Sequence, residues 1–299
     1  MTLPKVTEKQ KEIIDLVFFH RFINRHQLQK VFAHKDSKRI NVWLKDLVSK
    51  NYLGRIYSKK LFENTKPAVY FLSLNGIRYL RAEKLRRRQK SSILRNLYFE
   101  KKKSEIFRNH SLYISELYAS LAKDNFYIER SEGEKFKFYT FTFHTKQRLL
   151  VRQVFKDGYR DIIPDVYLKV PDILAKSKKV KKPNQDSDKD NRRYFLYLFD
   201  YHVPQYSLKY RVDQITRLHD YDFNDLKQQL NMGDFPTILF VFMNPKRIRN
   251  IRAYIHHRLE MEGDLGNISF LITTSEELEQ KGFEDPTIWR TIRTEGDWG

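Results

Sequence analysis

Ser37-Lys38-Arg39-Ile40-Asn41-Val42-Trp43-Leu44-Lys45-Asp46-Leu47-Val48 decides how the first part of this chain is read. Ile40, Trp43, Leu44, Leu47 and Val48 recur at helical spacing, which predicts an amphipathic helix capped by Ser37. Lys38, Arg39, Asn41 and Lys45 fall mainly off that stripe and are left for solvent. Upstream, Glu8 to Phe19 sets Ile13, Ile14, Leu16 and Val17 around one helical face, and Asn24 caps a short second helix holding Leu28, Val31 and Phe32. Downstream, Tyr52 to Tyr57 and Ala68 to Leu72 read as the two strands of a hairpin whose tip carries Lys59, Lys60, Asn64 and Lys66.

Three helices followed by a basic hairpin give residues 1–85 the pattern of a winged helix-turn-helix. In that arrangement the third helix enters the major groove with its polar face outward, and the hairpin tip lies on backbone or minor groove. Arg39, Asn41 and Lys45 are then nearest the bases, with Lys38 beside them, and Lys59, Lys60 and Lys66 meet phosphates.

The charge distribution agrees with a nucleic-acid partner. Residues 1–103 hold 26 Lys+Arg against 8 Asp+Glu, a net +18 of the chain's +20. A face this basic releases condensed counterions from a phosphate backbone. Binding at a membrane surface would need an apolar stripe opposite the cations, whereas most Phe and Tyr lie in short alternating or buried runs. Residues 86–103 add Arg86, Arg87, Arg88 and Lys101-Lys102-Lys103, read as a basic helical linker beside double-stranded DNA.

The chain has no cysteine, which excludes disulfides, thiol nucleophiles and Cys-ligated zinc. No apolar run approaches the roughly 18 residues of a membrane span, and Met1-Thr2-Leu3-Pro4-Lys5 opens without a signal-peptide core. The expected location is the cytoplasm, with no membrane partner. A second copy of this chain, as a homodimer, is an expected protein partner.

Residues 104–299 read as an α/β domain. Ile106, His110, Tyr113, Leu117 and Leu121 predict an amphipathic helix over 104–123, with His110 a hydrogen-bonded core residue. Strands are expected over Phe136–Phe143, Asp165–Val170 and Tyr194–Phe199, the last a continuous apolar run and hence central. A polar loop over 171–193, a helix Ser207–Leu230, a strand Thr237–Met243, a basic helix Lys246–Leu259 and a strand Ile268–Ile272 complete it.

Pro164-Asp165 opens one strand and Asp200 closes the next, followed at period two by His202. Two such carboxylates are what a metal-dependent phosphodiesterase needs to hold Mg²⁺ or Mn²⁺, the ion polarising the phosphate and activating water. The run echoes a PD-(D/E)xK signature with Asp200-Tyr201-His202 in place of (D/E)-x-K. The lysine is missing, and Lys169, on the same strand face as Asp165, is its candidate substitute. The expected site is therefore Asp165 and Asp200 on the metal, with His202 or Lys169 orienting or activating water. The rival reading is that strand-end aspartates here are ordinary structure.

Taken in order, these segments resemble the replication-relaxation family of plasmid and mobile-element proteins. The resemblance rests on Tyr70-Phe71-Leu72-Ser73-Leu74-Asn75-Gly76, on His110-Ser111-Leu112-Tyr113, and on Ile163-Pro164-Asp165 with the strand reaching Asp200. Arg217 and Tyr221 in the next helix, Phe235-Pro236 to Arg252, and Phe270 to Thr274 extend it. It implies a winged helix followed by a PD-(D/E)xK-like α/β domain with Arg217 on the phosphate, in a bacterial plasmid or integrated element, with a role in replication, DNA relaxation or transfer and other replication or transfer proteins as partners. The family tends to carry an acidic residue where His202 stands and glutamate where Asp200 stands. Relaxases that pair a His-hydrophobe-His metal site with a Tyr nucleophile are a different matter: no His-x-His occurs here, and the adjacent His256-His257 point different ways from a helix. Two further readings stay open: a non-catalytic sequence-specific regulator or relaxosome accessory factor, and an adaptor whose basic end binds acidic proteins.

Overall fold

A computed structural model describes residues 3–58, 66–86, 92–124, 126–131, 134–139, 141–152, 154–155, 163–171, 191–199, 205–261, 268–283 and 285–292. The protein is mixed α/β and divides into two units, residues 1–126 and 127–299.

Helix α1 (Glu8–His20) starts at a capping box in which the Thr7 hydroxyl accepts from the Gln10 N–H and Gln10 Oε1 accepts from the Thr7 N–H. It buries Ile13, Ile14, Val17 and Phe18. Asn24 caps α2 (Arg25–Phe32) with a second capping box to Gln27, as expected from the sequence. Helix α3 (Ser37–Ser49) is capped by Asp36 rather than Ser37: the Asp36 carboxylate accepts from the Lys38 N–H at 2.7 Å, and Ser37 is the first helical residue.

Strands β1 (Ile23–Asn24), β2 (Leu53–Ile56) and β3 (Val69–Leu72) form an antiparallel sheet in the order β1-β3-β2, with Arg55 opposite Tyr70 and Ile23 on its other side. Gly54 makes room for the Phe71 ring, which a Cβ would meet at 2.3 Å.

Two expectations about the next segment are corrected. Residues 86–103 are not simply a linker. After α4 (Leu74–Arg86) and the short α5 (Ser92–Arg95), a 3₁₀ segment Asn96–Lys102 buries Leu97 and Glu100 within the first unit, as α5 buries Leu94. Helix α6 (Glu105–Asp124), assigned by sequence to the second domain from residue 104, packs on α2 and belongs to the first unit. Of its expected stripe, Leu117 and Leu121 are buried but Ile106 is 44% exposed, and Ser111, Ile114, Ser115, Ala119 and Ala122 are buried as well. Small side chains let the α6 backbone approach closely, and the Ser115 hydroxyl donates to the carbonyls of both Phe22 and Ser111.

The second unit is built on a six-stranded sheet in the order β11-β10-β9-β8-β7-β6. β6 (Thr142–Thr145), β7 (Val166–Pro171) and β8 (Asn191–Phe199) form an antiparallel meander; β9 (Thr237–Phe242) and β10 (Phe270–Thr274) run parallel to β8, and β11 (Arg290–Thr291) is antiparallel to β10. The apolar run Tyr194–Phe199 is interior, as its composition requires. Tyr167, Phe195, Tyr197, Phe199, Phe240 and Phe242 share a core with Leu208, Val212, Ile215 and Leu218 of α8 (Gln205–Leu230) and Ile251 and Ile255 of α9 (Ile248–Met261). The single strand expected over 136–143 is instead split between β5 (Glu134–Tyr139), which pairs with β4 (Phe126–Ser131), and β6 of the large sheet. Helices α7 (Lys146–Arg152) and α10 (Ser275–Lys281) complete the unit. The expected loop over 171–193 lies largely outside the described residues.

Candidate nucleic-acid interface

The orientation of α3 is fixed from below. Ile40, Leu44 and Leu47 are completely buried, and Asp46 ties the helix to α1 by accepting from Gln10 Nε2 at 2.6 Å while Lys50 Nζ donates to the same carboxylate at 2.7 Å. The hydrogen bonds from Lys50 and Gln10 hold the Asp46 carboxyl below its ordinary range, so this lock is ionised at neutral pH. Tyr52, almost wholly buried, donates its hydroxyl to the Pro4 carbonyl and pins the chain entering α1.

The opposite face is thereby presented outward. Lys38, Asn41, Val42 and Lys45 are exposed and stand at successive spacings of three, one and three residues, a single helical stripe. No acidic residue occurs between Ser37 and Lys45. Arg39 is exposed but flanks this stripe, its guanidinium 5.8 Å from the Trp43 ring centre. Among the residues expected nearest the bases, Asn41 and Lys45 therefore share a face with Lys38, and Arg39 stands beside it. Val42 drew no attention in the sequence because its apolar character counted toward neither the core stripe nor the cationic set.

Beside α3, Lys66 is exposed at the foot of the β2–β3 hairpin, and the Arg55 guanidinium lies 5.3 Å from the ring of Tyr57, itself exposed. Lys59 and Lys60, with the rest of the tip, lie outside the described residues, as do Arg87 and Arg88; Arg86 ends α4.

One charged pair inside this unit was not legible in sequence. Arg21, which closes α1 with φ 67°, donates through Nε and Nη2 to Glu100 Oε1 and places its guanidinium 4.5 Å from the Phe107 ring centre. Glu100 is 1% exposed. Burial raises its carboxyl above the ordinary value, with Arg21 opposing.

In the second unit, Asp165 lies immediately before β7, beside the end of β8. Its Oδ2 accepts from the Leu198 N–H at 2.8 Å, so the side chain takes over as a ladder acceptor where the strand begins. Lys169 stands on the same strand four residues on, opposite Thr142 and Arg193, which is about 13 Å further along. The structure does not bring Lys169 to Asp165. Asp200 and His202 lie outside the described residues, and Arg217 is exposed on α8. Among the described residues no three His, Asp or Glu side chains converge as a metal ion would require. Of the two expected metal ligands, Asp165 alone is among the described residues.

Polar groups that the sequence reading passed over gather near this end of the sheet. Tyr197 is fully buried beneath Arg211, whose guanidinium lies 5.2 Å from its ring centre, and burial pushes its phenol upward. His144 is nearly buried, 5.9 Å from the Tyr167 ring; burial, then the charges of Arg148 and Arg152, lower its pKa to about 3. His144 is thus neutral at physiological pH.

Compared with known proteins, the chain matches no family model, no curated protein and no solved structure. Among the described residues no helix is long and apolar enough to cross a membrane.

Proposed function

We propose that this protein binds duplex DNA through its first unit, with α3 as the recognition helix of a winged helix-turn-helix and the β2–β3 hairpin as its wing. The observation that carries the reading is the stripe Lys38, Asn41, Val42 and Lys45, free of acidic side chains and set opposite the fully buried Ile40, Leu44 and Leu47. A helix fixed by its apolar side and offering cations and an amide on the other suits major-groove docking. Its role, on the resemblance described above, is that of a DNA-binding protein of a bacterial plasmid or mobile element, acting in replication, relaxation or transfer. Titrating labelled duplex with the full chain over a salt series tests this: a steep fall of affinity with salt is expected, and duplex binding that is absent or salt-independent overturns it.

For the second unit, the adjacency of Asp165 at the start of β7 to the end of β8 supports the PD-(D/E)xK-like reading. On that reading Asp165 and Asp200 would hold Mg²⁺ or Mn²⁺, which would supply Lewis-acid activation of water. Incubation with supercoiled plasmid and Mn²⁺ tests it. Nicking lost in Asp165→Ala supports a nuclease, and an intact plasmid alongside a footprint supports an accessory or regulatory factor on a nuclease-like scaffold.

A further inference from the structure

Val42 is 64% exposed, beyond Tyr57 at 56% and Phe99 at 55%, and it stands in the middle of the outward stripe of α3 between Asn41 and Lys45. Single apolar side chains on a surface are ordinary, so its position gives it meaning. Local structure offers no reason for it, since valine is a poorer helix former than the alanine or lysine that a solvent face favours. Packing offers none either, because the core side of α3 is filled by Ile40, Leu44 and Leu47.

We infer that Val42 reads the 5-methyl group of a thymine in the major groove. The inference rests on the proposed docking of α3 and specifies what that helix recognises. From Lys38 to Lys45 the helix rises about 10 Å, the length of about three base pairs at 3.4 Å each. Within that window each base pair shows its own groove pattern: a carboxamide pairs with adenine N6 and N7, and an apolar side chain packs on the thymine methyl. Asn41 and Val42 supply these two chemistries side by side, and Lys38 and Lys45 bracket them at a turn's distance on either side. The ligand is therefore a short step containing adenine and thymine, recognised by its methyl as well as by its hydrogen-bonding edge.

The test begins by selecting bound sequences from a randomised duplex pool with the full chain. In the enriched duplex each thymine is replaced in turn by deoxyuridine, which removes only the methyl. Wild type should lose about three- to fivefold in affinity at one thymine, the worth of one buried methyl. Val42→Ala should bind the thymine duplex more weakly by a similar factor and show no further loss with deoxyuridine. A pool that does not enrich, a duplex with no methyl-sensitive thymine, or a Val42→Ala variant as sensitive as wild type overturns the inference while leaving salt-dependent duplex binding intact. Failure to bind any duplex overturns the proposed function with it.

Discussion

Replacing Arg21 by methionine should destabilise the first unit by about 3–5 kcal/mol near pH 7, because it strands a buried carboxylate. The asymmetry of the pair sets the magnitude. The Arg21 side chain is 21% exposed and retains Phe107 beneath it, whereas the Glu100 side chain is 1% exposed, and its Oε2 has no hydrogen-bond partner among the described residues. Glu100→Gln keeps an acceptor for a partly solvated cation and should cost less, about 1.5 kcal/mol, the low end for a hydrogen bond to a charged group. The double variant Arg21→Met with Glu100→Leu should recover most of the deficit. The deficit must also depend on pH. Burial already lifts the Glu100 carboxyl above its ordinary 4.5, so the folded chain binds that proton more tightly than the unfolded chain. Stability therefore falls as pH climbs from 4.5 through the folded pKa and levels off above it. Without Arg21 the attraction opposing burial is gone and the interval widens, so the deficit should shrink on acidification toward pH 4.5. Hydrogen exchange of peptides from α1 and Asn96–Lys102 over a pH series reads this locally. A deficit unchanged from about pH 4.5 to 8, or Glu100→Gln costing as much as Arg21→Met, would refute the reasoning.

Three other outcomes are expected. Lys38→Ala combined with Lys45→Ala should lower the slope of log affinity against log salt by about 0.9 per lost phosphate contact, measured by fluorescence anisotropy on duplex DNA; an unchanged slope would remove both from the interface. The second unit should lose stability as pH falls from 6.5 toward 3, since folding keeps His144 neutral while the unfolded chain takes up the proton. His144→Leu should flatten that dependence in urea titrations, and an identical pH profile would contradict the burial of this ring. Gly54→Ala should cost about 1–3 kcal/mol by driving a methyl into the Phe71 ring, read as a lowered melting temperature, and a neutral result would mean that the ring gives way.

The sequence was most legible where apolar spacing and a cap coincide. Asn24 before Leu28 and Val31 located α2, and Ile40, Leu44 and Leu47 located α3. The caps themselves are less certain signals: Asp36 and Ser37 are both competent, and only the Lys38 N–H chooses between them. Hydrophobic weight misled for α6. It named Leu117 and Leu121, which are buried, but also Ile106, which is exposed, and passed over Ser111, Ser115 and Ala119, buried residues whose merit is their small size. Arg21 and Glu100 lie 79 positions apart, and no local pattern pairs them.

The site in the second unit shows a different limit. Period two puts Asp165 and Lys169 on one strand face, but face is not place. Each pair of residues advances the chain by nearly 7 Å, so a four-residue separation leaves Lys169 opposite Arg193 while Asp165 meets the N–H of Leu198 near the other end of the pairing. A residue that could substitute for the missing lysine must instead come from another element reaching the end of β8. Arg211 of α8, resting over Tyr197 and Phe199, and Lys146, whose N–H donates to the Asp165 carbonyl, are two cationic residues near that end. In an extended chain, the same-face rule selects candidates; the neighbouring strands and the helix crossing them decide which ones meet.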